Sequence, residues 1–379
     1  AIVSFADYAA TWQTSNVTVT PNGTDKIGSL NNSATLNTQG QSVTFVFVDS
    51  TQGWINTMDS TSNVRGTPPF IQATGGTIVT CGNFKTHVFT GPGTFTVCST
   101  SPSAAQNKVS YVVVAGAGAG GRNHGGAGGA GGFREGRNSP IDSYTASPLA
   151  ATDSGLTVTA QSYPITVGGG GTSNCTCGSS APARAGNNSI FNTITSASGG
   201  GGGGVGPSSP QAAGGVGGSG GGGGSNGCNP GGTGNSPSTT PAQGTDGGNG
   251  INNPSNHGGG GGGATVAGAN GSSLQGGNGG AGAATQIIGP SNPGVKGSPA
   301  TNFAGGGGGG NRSSGTGGTG GTGGGGNGSA GGGDASGATP GVINTGGGGG
   351  SAGQTPGDAP GTTAGNGGSG IVMIRYKFQ

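Results

Sequence analysis

Alternating apolar and polar residues predict short β-strands over the first part of the chain. SVTFVFVDS, residues 42–50, is rich in β-branched and aromatic residues and ends in Asp and Ser, as strands often do. NVTVTPNGTD, residues 16–25, carries a strand into a turn at Asn22-Gly23. KTHVFT and TFTVCST flank Gly91-Pro92-Gly93 and predict a hairpin. No segment has a helical period, so the pattern indicates β structure.

Two apolar strands lie on either side of the glycine-rich part of the sequence. VSYVVVAGAGA, residues 109–119, runs from a buried strand into glycine. GIVMIRYKFQ, residues 370–379, alternates, with residues 371, 373 and 375 on one face and 372, 374, 376 and 378 on the other. We expect these two strands to pair and to close the region at its base. GLTVTAQSYPITVG and NNSIFNTITSASG supply two more strand-like pieces between them.

Glycine dominates the enclosed region. Only ten of the 101 glycines lie in residues 1–110, so the remainder is about one-third glycine, against ~7 % in ordinary proteins. The runs could be flexible linkers. Nine similar runs and an apolar strand at each end favour instead extended polyproline-II-type helices, packed side by side and joined by backbone hydrogen bonds. Only such bonds could offset the conformational entropy that glycine loses on ordering.

These observations predict an all-β N-terminal fibre module, a trimeric β-solenoid or β-prism, followed by a glycine-rich bundle of polyglycine or polyproline-II helices with few β-strands. The expected divisions are a β-rich shaft module (1–70), a β-hairpin connector (71–110) and the bundle (111–379), closed by strands 111–114 and 371–378. The first segment is too poor in apolar residues for a core of its own, so we expect a parallel homotrimer.

Charge and composition argue against several function classes. The chain has 12 Lys and Arg against 10 Asp and Glu, a net charge of +2, and its basic residues are scattered rather than clustered as in a nucleic-acid binder. No apolar run approaches the ~20 residues that a membrane-spanning helix needs. We therefore expect neither nucleic-acid binding nor membrane insertion.

The sequence offers little for catalysis or cofactor binding, so we predict a non-enzymatic protein without a cofactor. Asp49 and Asp59 could form a glycosidase-like pair, although Asp caps turns more often than it catalyses. Gly116, Gly118 and Gly121 have the spacing of a dinucleotide-binding loop, but RNHGGAGGAGG follows where that site needs a helix.

The five cysteines are too few for a disulfide scaffold. One or two disulfides with one thiol left over are compatible with their number, and a zinc site lacks a fourth ligand. The cysteines are Cys81, Cys98, Cys175, Cys177 and Cys228.

An ordered series of motifs resembles a known protein family. TGGTIVTCGNFKTHVFTGPGTFTV, VSYVVVAGAGAGG, GGAGGAGGFREG, YPITVGGGG and GGSGIVMIRY are similar to the glycine-rich domain of tail-fibre proteins in marine tailed phages, especially cyanophages. The stretch from VSFADYAATWQ to VDSTQGWI resembles a β-rich fibre module found upstream in the same proteins. The resemblance implies a trimeric extracellular fibre of the virion, bound to other tail proteins, whose tip contacts a bacterial surface.

The loops between glycine runs are the best binding candidates, because a rigid scaffold that presents loops is a common binding surface. We expect them to attach the particle to a host glycan or outer-membrane protein. A purely structural fibre without a receptor site is an alternative, and an ice-binding protein, which would need regular Thr or Ala ranks, is a second. The candidate receptor-binding residues are Arg122, Asn123, His124, Asn226, Asn229, Asn252, Asn253, Asn256, His257, Asn311, Arg312 and Asp358.

Overall fold

The protein divides into two compact units, Ala1–Thr67 and Pro68–Gln379. The computed structural model describes residues 1–60, 70–151, 155–173, 183–204, 212–225, 227, 229–252, 256–289, 302–312, 315–331, 337–354 and 363–379. The predicted connector, residues 71–110, falls within the second unit.

The first unit has two small sheets. Strands β1 (Ile2–Ala6), β4 (Ser42–Asp49) and β5 (Gly53–Asp59) form an antiparallel sheet in the order β1-β4-β5, and β2 (Val17–Val19) pairs with β3 (Ala34–Leu36). The strand predicted over 42–50 is confirmed.

Few side chains of the first unit are fully buried. Leu36, Val43 and Phe45 are buried, and Phe5 and Trp54 are among the partly buried residues packed on them. Large apolar side chains stay exposed elsewhere in the unit, including Ile2, Tyr8, Leu30, Val48 and Met58.

The second unit contains fourteen strands in its described part: β6 (Gln72–Thr74), β7 (Thr77–Cys81), β8 (Phe84–Phe89), β9 (Gly93–Ser99), β10 (Lys108–Val114), β11 (Phe133–Gly136), β12 (Ala150–Ala151), β13 (Leu156–Thr157), β14 (Ser162–Thr166), β15 (Ser189–Phe191), β16 (Ile194–Ser196), β17 (Ala283–Ala284), β18 (Asn302–Phe303) and β19 (Ile371–Lys377). A 3-10 turn at Ala104–Asn107 precedes β10, and no other helix is present among the described residues.

A seven-stranded and a five-stranded sheet pack face to face. Their orders are β12-β11-β10-β19-β8-β7, with β13 joined to β10, and β16-β15-β14-β9-β6. The core between them is rich in aromatic rings, and Phe95 and Phe191 are completely buried within it. The predicted hairpin around Gly91-Pro92-Gly93 is wrong, because β8 joins the first sheet and β9 the second. Phe89 and Phe95, on either side of this corner, both contribute to the shared core.

The pairing of the two enclosing strands is confirmed. β10 and β19 are antiparallel, with Val114 opposite Ile371 and Ser110 opposite Arg375. The even face of β19 packs on the five-stranded sheet, while Ile371 and Met373 pack on a second core with Phe133, Phe303 and alanines of the glycine-rich region. Residues 371–376 are therefore buried on both faces.

A buried polar cluster fixes the second face of β19. The Arg375 Nε lies 3.1 Å from both carboxylate oxygens of Asp142, and the Arg375 Nη1 donates to the Ile287 carbonyl. Nearby, Glu135 accepts hydrogen bonds from the hydroxyls of Tyr144 and Thr285. Burial, together with the Glu135 carboxylate, raises the pKa of Tyr144 far above its usual value of 10.0.

The glycine runs are joined by backbone hydrogen bonds whose direction repeats every three residues. In run 115–121, every third N–H group donates to the same neighbouring segment. Residues 115, 118 and 121 donate to carbonyls of residues 126–132. Residues 116 and 119 donate to residues 187 and 184, and residues 117 and 120 donate to residues 368 and 365. Run 126–132 repeats the pattern with three other neighbours. These two runs are thus held on three sides, and we call the whole array of glycine runs the glycine lattice. Its order contradicts the flexible-linker alternative for the described runs.

The predicted fold class is wrong. The described chain is all-β, with nineteen strands in five sheets, whereas a solenoid or prism followed by a helical bundle with few strands was expected. Apolar side chains between the glycine runs account for the difference, because they bring short strands together in a sandwich that the lattice extends.

Candidate functional site

The turns of the glycine lattice that lie farthest from the sandwich form one surface, which we call the distal end. Run 115–121 leaves β10 and run 125–132 returns to β11, so turn 122–124 lies away from the sheets. The backbone of this turn is tied to the chain near residues 203, 310 and 352. Further hydrogen bonds link residue 258 to 310 and residue 354 to 311. Loops distant in sequence therefore meet at this end.

The structure brings together every predicted receptor-binding residue that it describes. They lie in the turns of the distal end: Arg122, Asn123, His124, Asn229, Asn252, Asn256, His257, Asn311 and Arg312. Asn226, Asn253 and Asp358 lie outside the described residues.

Five of these side chains are buried: His124, Asn229, Asn256, His257 and Asn311. A ring nitrogen of His124 bonds to the Ser225 hydroxyl, across 101 residues of sequence. The Asn229 amide donates to the carbonyls of Gly224 and Ser225. These side chains position the surface rather than form it.

The remaining four candidates are accessible. Asn252 and Arg312 are exposed, and Arg122 and Asn123 are half-buried. Asn123 has a φ of 52°, in the left-handed region that Asn tolerates better than most residues, which explains its place in a tight turn.

Sequence reasoning missed one exposed apolar residue of the distal end. Leu274 is 78 % exposed in the turn between Ser272 and Gln275, whose backbone bridges to Thr316. A lone Leu within the polar loop SSLQ was the available signal, since turns seldom need an apolar side chain.

The distal end is positive in its described part. Arg122 and Arg312 are its charged residues, and no Asp or Glu occurs among its described turns. Together with amide groups and one apolar side chain, it offers hydrogen-bond donors to anionic or hydroxyl-rich partners.

A family model described as a glycine-rich domain matches residues 89–377. The chain belongs to the glycine-rich domain family. No curated protein matches the chain. The match begins at the end of β8 and closes at the end of β19, so it contains most of the sandwich and the whole glycine lattice.

Many asparagines of the glycine-rich domain close the sides of the lattice. The Oδ1 atoms of Asn249, Asn278 and Asn327 accept the backbone N–H groups of Gly231, Thr319 and Gly320, respectively, at 2.8–2.9 Å. Outer runs have no further run to bond to on that side, so a short amide side chain satisfies the donor instead. Asparagine enrichment in this domain therefore has a structural cause away from the distal end.

The other candidate chemistries are not assembled by the described residues. The first two glycines of the GxGxxG pattern, Gly116 and Gly118, lie in an extended run, where a Cβ would come within 2.1 Å of a neighbouring carbonyl oxygen. Asp49 and Asp59 lie at opposite ends of the β4–β5 pair, about 20 Å apart at ~3.4 Å per residue. Glycosidase carboxylates are ~5–9.5 Å apart, so these two do not form such a pair.

Cys81 and Cys98 are free thiols, while Cys175, Cys177 and Cys228 lie outside the described residues. Within the described ranges, no group of three or more His, Cys, Asp or Glu side chains could hold a metal ion. The described residues also contain no helix with the length and apolarity that a membrane crossing requires.

Proposed function

We propose that this chain is a receptor-binding tail-fibre protein of a tailed phage and attaches the virion to its host through the distal end. The observation that supports this most strongly is the convergence of accessible polar residues from separate loops on one end of an ordered lattice. Backbone hydrogen bonds between the glycine runs hold those loops, so little entropy is lost when a partner binds.

The proposed partner is a glycan or outer-membrane protein of a marine bacterium. Arg122 and Arg312 supply charged donors, Asn123 and Asn252 supply amides, and Leu274 supplies an apolar contact. No step of the proposal requires catalysis or a cofactor. Its setting is the extracellular fibre, joined to other tail proteins.

The experiment is a binding assay of fluorescently labelled full-length protein on cultured marine cyanobacteria. Arg312→Ala and Asn252→Ala should each lower cell-bound signal at least fivefold. Arg134→Ala, on β11 at the sandwich, is the matched control and should bind normally. If the folded distal variants bind as well as wild type, the structural-fibre alternative replaces the adhesin.

A homotrimer is part of the same proposal. The first unit buries few apolar side chains and exposes many, and association with identical chains would cover them. Light scattering should give about three times the 34.9 kDa of one chain. A stable monomer would contradict this part.

A further inference from the structure

A cavity of about 340 Å³ opens at the end of the sandwich opposite the glycine lattice. Strand β6 forms one wall, and Phe70, Lys85, Cys98 and Phe378 contribute the others. Phe378 follows β19, whose first residue adjoins the lattice, so the cavity and the distal end lie at opposite ends of the second unit.

One lysine, Lys85, lines this cavity, and a second, Lys377, contacts the Phe70 ring of its wall. The Lys85 Nζ is 4.6 Å from the centre of the Phe378 ring, and the Lys377 Nζ is 5.3 Å from the centre of the Phe70 ring. A cation–π contact holds an ammonium group in place without neutralising its charge, so Lys85 keeps its positive charge in the cavity wall.

No carboxylate of the surrounding strands balances these charges. The sequence has no Asp or Glu between residues 61 and 134, the stretch that supplies β6 to β10. Among the described residues, the one ion pair is Arg375 with Asp142, on the opposite face of β19. The cavity is therefore complementary to an anion.

We propose that this cavity binds a sugar residue that carries a carboxylate. Ile71 and Ala73 line the cavity and offer apolar contacts to the C–H groups of a pyranose, and the Lys85 ammonium group pairs with its carboxylate. Gln72 and Thr74 line the same space and supply hydrogen bonds to hydroxyls. The volume is within the ~300–1,000 Å³ typical of small-molecule sites. This site is separate from the distal end and does not rest on the proposed adhesin function.

Calorimetric titration with glucuronate tests the proposal, with glucose as the uncharged comparator. Glucuronate should bind at least tenfold more tightly than glucose, and Lys85→Met should remove that preference. Lys108→Met, which changes a lysine outside the cavity lining, should leave it intact. Equal affinity for the two sugars, or unchanged binding by folded Lys85→Met, would overturn the proposal.

Thiol alkylation of the wild-type chain gives a second readout that needs no variant. Cys98 lines the cavity, whereas Cys81 ends β7 and does not line it. Saturating glucuronate should slow iodoacetamide modification of Cys98 at least threefold, measured by peptide mapping, and should leave the Cys81 rate unchanged. Equal rates at Cys98 with and without glucuronate would refute occupancy of this cavity.

Discussion

Adding one methyl group at Gly202 should disrupt the glycine lattice. A Cβ there would lie 2.0 Å from the Gly126 carbonyl oxygen and 2.8 Å from the Gly121 nitrogen. Both are backbone atoms, so no side chain can rotate away. Run 125–132 would have to move by about 1 Å or more to restore a normal contact of ~3.2 Å or greater.

The cost follows from the hydrogen bonds between the two runs. The Gly126 N–H donates to Gly203 at 3.0 Å and the Gly129 N–H donates to Gly200 at 2.8 Å. A 1 Å displacement breaks both and leaves buried donors without partners, at ~1–3 kcal/mol each. Gly202→Ala should therefore lower the free energy of unfolding by about 2–6 kcal/mol. That is a large part of the ~5–15 kcal/mol of a typical protein.

Urea unfolding of Gly202→Ala beside Gly169→Ala measures this effect. Gly169 lies in another run, but its Cβ would meet only the Asn187 Nδ2, at 3.8 Å. Since Ala restricts the unfolded chain, Gly169→Ala should be neutral or stabilising by up to ~1 kcal/mol. If both variants unfold at the same urea concentration, close backbone packing does not explain the need for glycine.

Three further perturbations test the sandwich. Phe191→Ala should cost about 3–5 kcal/mol by urea unfolding because this ring is wholly buried, and Phe191→Leu should cost much less; equal costs would contradict tight packing. Asp142→Asn should cost about 3–5 kcal/mol because it leaves Arg375 buried without its anion, and a loss below 1 kcal/mol would refute that role. Burial lowers the pKa of His87 below its usual 6.5, although a hydrogen bond with Gly75 opposes the shift. The folded chain therefore binds the proton less readily than the unfolded chain, and the free energy of unfolding should fall as pH decreases below 6.5 towards the folded-state pKa. His87→Gln should flatten that dependence between about pH 4 and 8, whereas an unchanged slope would assign it to other groups.

The sequence predicted those elements that depend on strand propensity, on the alternation of side chains or on the lack of side chains. The apolar run 42–50 is a strand because its β-branched and aromatic residues favour extended backbone. The alternation in 371–378 specified both faces of β19, since side chains in a strand point to opposite sides in turn. The repeated glycine runs indicated backbone packing because, without side chains, only backbone groups remain to bond.

The tertiary structure decided which strands share a sheet. KTHVFT and TFTVCST look like the two arms of a hairpin, yet Phe89 and Phe95 pack into the same core from opposite sheets. Burying both rings outweighs the local pairing that a Gly-Pro-Gly turn suggests. The strands between glycine runs also pack together through cores whose residues are far apart in sequence. A local sequence pattern does not show such contacts.

For the distal end, too, the sequence predicted one part and the tertiary structure decided the other. Sequence alone placed polar residues in loops between runs, and the three-residue repeat of backbone bonds then brought those loops to one end. The sequence could not separate exposed Arg312 from buried Asn311, although they are neighbours, because exposure depends on the runs that surround them. The composition predicted that the glycine runs would pack through their backbones. The runs that surround each loop in the tertiary structure decided which side chains remain accessible to a partner.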